Sequence, residues 1–142
     1  MKILVPLVIL LLMAGCQHRP VEADMIYFPQ MPSPQPGAEE IMLLASGSGY
    51  LVIDRGCVRL KSSASGKMST LFWHRRFELV NHGASVAVRD TVAGNIYPIG
   101  DHIRIGGGQL TKSSAIRIDP IAVKKCGGNS FGSAWIPEQS SL

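Results

Sequence analysis

From residue 44 onward, apolar and polar side chains alternate with a period of two, interrupted by glycine every few residues. That pattern restricts the chain to a small β-structure. Short strands are expected at Tyr50-Leu51-Val52-Ile53, Val58-Arg59-Leu60-Lys61, Thr70-Leu71-Phe72-Trp73-His74 and Ser85-Val86-Ala87-Val88-Arg89. His102-Ile103-Arg104-Ile105 and Ala115-Ile116-Arg117-Ile118 alternate in the same way. Turn chemistry separates them at Ser65-Gly66, Asn81-His82-Gly83, Ala93-Gly94-Asn95 and Gly106-Gly107-Gly108. No ten-residue stretch carries a helical apolar stripe. The expected fold class is all-β: a small antiparallel barrel or sandwich, with an OB-like closed sheet as first choice.

The chain before this region has a different character. Its 142 residues leave room for one ordinary domain. After Lys2 comes an uncharged run from Ile3 to Gly15, too short to cross a bilayer and suited to the core of a secretory signal. It ends in Met13-Ala14-Gly15-Cys16, which resembles the lipobox of bacterial lipoproteins, although Met13 stands where leucine is commonest. The resemblance implies that residues 1–15 are removed and that Cys16 carries the lipid. The alternative is an ordinary cleaved signal that happens to end at a cysteine. Stable anchoring takes more than one acyl chain, and a processed lipoprotein carries three. Gln17, in place of aspartate, favours the outer membrane by the enterobacterial sorting pattern.

A tether is expected over residues 16–43. Five of the nine prolines fall between residues 20 and 36, and proline fixes φ while removing a donor. Wholly extended from Gln17 to Met42, such a chain would reach at most ~80 Å at about 3.1 Å per residue. Charge divides at the same boundary. Residues 17–40 hold Arg19 against Glu22, Asp24, Glu39 and Glu40, whereas residues 41–142 hold 12 basic and 6 acidic side chains. The β-domain, residues 44–137, is therefore the basic part, with a short tail at residues 138–142.

With Cys16 assigned to lipid, Cys57 and Cys126 remain as an even pair in an oxidising compartment. Joining them closes a loop of about 70 residues, worth roughly 4 kcal/mol in the chain-entropy picture. Free or metal-binding thiols are the alternative, and two cysteines without CxxC spacing make a poor zinc site.

Taken in order, Gly56-Cys57-Val58-Arg59-Leu60, Leu71-Phe72-Trp73-His74, the segment from Gly100 to Gly108, and Cys126-Gly127 with Trp135 beyond resemble a family of small bacterial β-domains. These domains are secreted or lipid-anchored and of uncharacterised function. Val58 replaces the family's leucine, and His74 stands where proline is usual. The resemblance covers residues 49–135. It implies a disulfide-bonded β-domain and supplies no catalytic residues.

Catalytic patterns are not found. The triple glycine is followed by no Lys-Ser/Thr and no helix, so it reads as a bulge or barrel corner and not as an anion cradle. His74, His82 and His102 lie on separate segments, and neither a metal nor a cofactor is expected. Asp54, Asp90, Asp101 and Asp119 each sit near a strand end or turn, and Trp73 and Trp135 are expected in the core. One basic cluster stands out: Arg75, Arg76, Arg104, Lys124 and Lys125 form a candidate anion-binding face. Compartment argues against a nucleic-acid partner. The expectation is a non-enzymatic envelope lipoprotein, an accessory interaction module with an envelope protein partner and no small-molecule substrate. The alternative is a domain that binds an anionic lipid head group, lipopolysaccharide or an acidic partner.

Overall fold

A computed structural model of the protein describes residues 20–38 and 45–137. The signal at residues 1–15, the lipobox with Cys16, and the tail at residues 138–142 lie outside the described residues. Strands β1 (Ala45–Asp54), β2 (Cys57–Ser62) and β3 (Met68–Trp73) follow one another as an antiparallel meander. Strands β4 (Phe77–His82), β5 (Ser85–Asp90) and β6 (Ile96–Pro98) form a separate antiparallel sheet. Strand β7 (His102–Leu110) then returns along β1, and β8 (Phe131–Trp135) fits between β7 and β3. The barrel order is β1-β2-β3-β8-β7, closed, with β3 and β8 parallel and the other pairs antiparallel. That is the OB-like closed sheet the alternation suggests, carrying an inserted three-stranded sheet between its third and fourth strands.

One core serves both sheets. Leu51, Val58, Leu60, Leu71, Ile103 and Ile105 point into the barrel, while Phe77, Val86 and Val88 from the inserted sheet join the same cluster around Trp73. The interiors of β2 and β3 show why the alternation is legible. Val58 and Leu60 face the barrel core, whereas Cys57 and Arg59 face the opposite side of the sheet and are buried there.

The sixth expected strand is a helix. Residues 112–126 form α1 (Lys112–Ile118) and α2 (Pro120–Cys126). Thr111 caps α1, its hydroxyl accepting from the Ser114 amide at 3.1 Å. Asp119 caps α2, accepting from the Ala122 amide at 2.9 Å, with Pro120 in the first turn and Gly127 at positive φ just past the end. Ile116 and Ile118, two apart, imitate the alternation of a strand, whereas the inward pair Ala115 and Ile118 is three apart, the spacing of one helix face. At seven residues apiece, neither helix can show a stripe over ten positions. Their inner faces cover a second cluster built on Phe72, Ala115, Ala122 and Phe131. The cysteines are joined as expected: Cys57 and Cys126 form a disulfide, Cα–Cα 5.6 Å, tying the end of α2 to the start of β2.

Two further corrections concern glycine and proline. Gly106-Gly107-Gly108 is no turn but the middle of β7, paired with both β1 and β8. A Cβ on Gly106 would strike the Trp135 ring and one on Gly107 the Ser133 carbonyl, so neighbouring groups approach too closely for any side chain. The stretch read as tether is partly built into the barrel. Beyond residues 59–61 and 68–70, β2 and β3 no longer pair, and residues 27–31 occupy the opening. The Tyr27 amide donates to the Gly56 carbonyl at 2.8 Å, and the Trp73 amide donates to the Pro29 carbonyl at 2.9 Å. Proline lacks a donor but accepts normally, which is all that Pro29 does here. Ile26 is buried at 9 % exposure, and Phe28 stacks on Trp73 with centroids 5.3 Å apart. The two side chains close one end of the barrel.

Tyr27 points the opposite way, toward α2. Its hydroxyl donates to Asp119 Oδ2 at 2.6 Å, and Lys125 Nζ sits 5.2 Å from its ring centroid. Burial, the hydrogen bond to Asp119 and that residue's negative charge push the Tyr27 hydroxyl up to about 12. Since the fold favours the neutral phenol, this contact contributes fully below the ordinary value of about 10 and is lost as pH rises toward 12. Ultraviolet titration should show a tyrosinate step near pH 12 that is missing from Tyr27→Phe. If the step lost in Tyr27→Phe instead lies near the ordinary value of about 10, the contact does not exist in solution.

Candidate functional site

The end of the barrel opposite the Phe28 plug is open. Serine and glycine crowd the beginning of β1, the end of β2, the beginning of β3 and the entry to β8, so the rim carries hydroxyls in place of bulky groups. They surround a cavity of about 350 Å³. Its floor is apolar, formed by Leu60, Leu71, Ile105 and Phe131. Several rim hydroxyls bond to one another or to backbone. Ser69 and Ser130 are 2.8 Å apart, and the Gly108 amide donates to Ser133 Oγ at 3.1 Å. Among the described residues, the lining holds no Asp, Glu, His, Lys, Arg or Cys. The described lining can receive a neutral group that exchanges hydrogen bonds with hydroxyls.

The five basic residues taken as an anion-binding face lie on three elements. Arg75 and Arg76 follow β3, Arg104 is exposed on β7, and Lys124 and Lys125 are exposed on α2. Arg76 is an ion-pair partner: its guanidinium makes a bidentate contact with the buried Asp90 carboxylate and lies 5.3 Å from the Phe77 ring centroid. Arg75 donates to Ser33 Oγ at 2.6 Å, holding the N-terminal segment. Lys124 and Lys125 have companions that sequence reasoning missed, Lys112 and Arg117 on the adjoining helix, both exposed. Reading residues 115–118 as a strand hid that grouping. Recognising Thr111 and Asp119-Pro120 as helix starts would have revealed it.

The histidines are dispersed. His74 Nδ1 accepts from the Arg76 amide at 3.2 Å, His82 ends β4, and His102 meets the Tyr50 ring edge-on at 5.1 Å. Among the described residues, no three His, Cys, Asp or Glu side chains are gathered so as to hold a metal ion. Nor is any helix among them long and apolar enough to cross a membrane. Compared with protein-family profiles, curated proteins and solved structures, the chain matches none.

Proposed function

We propose that the protein is a non-enzymatic lipoprotein of the cell envelope, anchored through Cys16 in the outer membrane and facing the periplasm, where its β-domain acts as a structural or accessory interaction module. The observation that carries this reading is the docking of residues 26–31 into the barrel, ten residues after Cys16. That lead spans at most about 30 Å at about 3.1 Å per residue, so an anchored domain would be held near the membrane surface instead of on a long leash. Anchoring is tested by Cys16→Ser, which should abolish lipid labelling. Continued labelling would overturn it. In-cell crosslinking, with salt-insensitive recovery of one envelope protein, tests the module itself.

The alternative of an anionic envelope ligand is favoured by one specific observation: Lys112, Arg117, Lys124 and Lys125 are all exposed on the two consecutive helices α1 and α2.

A further inference from the structure

Both helices are amphipathic in an unusual sense. In α1 the inner positions are Ala115 and Ile118, which leaves Lys112, Ser113, Ile116 and Arg117 on the outside. In α2 the inner positions are Ala122, Val123 and Cys126, which leaves Pro120, Ile121, Lys124 and Lys125 outside. The outer stripe of each helix thus pairs cations with an isoleucine, and Ile116 and Ile121 are 44 % and 62 % exposed. Spacing brings them together: Lys112 and Ile116 are four apart, and Ile121 precedes Lys124 and Lys125 by three and four. The Arg55 guanidinium, beside Gly127, adds a further cation at the end of α2. The only acid between residues 111 and 128 is Asp119, which is occupied by the Tyr27 hydroxyl and the Ala122 amide.

The geometry points to an anionic bilayer surface as the occupant of this α1–α2 face. Cations at that surface are drawn to lipid phosphates, while exposed isoleucines insert among the acyl chains, and a purely acidic macromolecule offers nothing to the second group. Position agrees with charge. Tyr27, bonded to Asp119 at the cap of α2, comes eleven residues after Cys16, so the residue that touches the helix pair is within about 34 Å of the anchor at about 3.1 Å per residue. This positional argument rests on the proposed anchoring. The face's affinity for anionic lipid does not.

The test uses the processed chain, residues 16–142 carrying Cys16→Ser, so that neither the apolar signal nor an acyl group contributes. Co-sedimentation is measured with vesicles of phosphatidylglycerol and phosphatidylcholine, and with phosphatidylcholine alone. The expected result is preferential binding to the anionic vesicles that weakens as salt shortens the screening length from about 10 Å at 0.1 M to about 3 Å at 1 M. Changing Lys112, Arg117, Lys124 and Lys125 to glutamine should weaken it about fivefold for each charge removed. Ile116→Ser and Ile121→Ser should each weaken it about tenfold. Lys61→Gln with Lys67→Gln, exposed positions elsewhere on the barrel, should leave it unchanged. Equal binding to both vesicle types overturns the proposal, as does an equal loss in the Lys61/Lys67 variant. Loss on removing charge but none on replacing the isoleucines overturns it in favour of an acidic macromolecule. Anchoring is read separately by lipid labelling, so either conclusion can fail alone.

Discussion

Replacing Cys57 and Cys126 together with alanine is expected to lower unfolding free energy by about 4 kcal/mol and the melting temperature by about 15 °C. Alanine is the better substituent, because both sulfurs are fully buried and serine would add a hydroxyl needing a partner. The bond joins positions 69 apart in sequence. Cutting it releases the loop-closure restraint on an unfolded chain that includes β2 through α2. The effect should also be local. The helices rest on a small cluster centred on Phe72 and Phe131, and the disulfide fastens them to β2 beside Tyr27. Hydrogen exchange in residues 112–126 should therefore rise well above that of β1–β3. A loss below 1 kcal/mol, with helix protection intact, would show that packing alone holds this layer.

What the sequence discloses and what it conceals follow from the range over which each signal acts. Val58, Leu60, Ile103 and Ile105 announce their strands because each alternates with polar neighbours, and burial on one face enforces that order, whereas Leu51 and Leu71 stand in short apolar runs bounded by turns. The disulfide is legible from number alone, once Cys16 is set aside. The helices are concealed because their capping residues, Thr111 and Asp119, are common polar types and their inner faces hold few side chains each. The seating of residues 26–31 is concealed by proline. The rule that proline cannot donate is correct, yet Ile26, Tyr27, Phe28 and Met31 carry enough apolar surface to dock a segment whose carbonyls accept. The serine-lined mouth lies deepest of all, since its rim comes from strands brought together only by closure. The basic face is half legible: Lys124-Lys125 is visible as a pair, whereas Lys112 and Arg117 join it only through the turn between the helices.

Asp90→Asn is expected to cost about 3 kcal/mol and to reshape the acid limb of stability. Asp90 ends β5 at 1 % exposure, opposite Phe77 at the start of β4. Its carboxylate accepts from Arg76 Nε at 3.0 and 3.1 Å, from Arg76 Nη2, and from the amides of Val92 at 2.9 Å and Ala93 at 3.1 Å. Burial alone would push the carboxyl up, but the Arg76 bonds and the two amides outweigh it and hold it below its ordinary value. Asparagine can still accept from both amides, which meet a single carboxylate oxygen, but it removes the counter-charge of a largely buried guanidinium. Breaking a buried pair from one side typically costs 3–5 kcal/mol, somewhat less here because the Arg76 side chain is 19 % exposed. The sign of the pH effect follows from the lowered value. The contribution is complete above the unfolded carboxyl value of about 3.9 and is lost as pH falls through the lower folded value. Melting curves from pH 7 to pH 2 should show the parent well above Asp90→Asn at neutrality, by about 10 °C, with the two converging below about pH 4. A gap that stayed constant to pH 2 would mean that Asp90 acts through shape and not through charge. The inserted sheet, fastened to β3 at this corner, would then owe its position to Phe77, Val86 and Val88 alone.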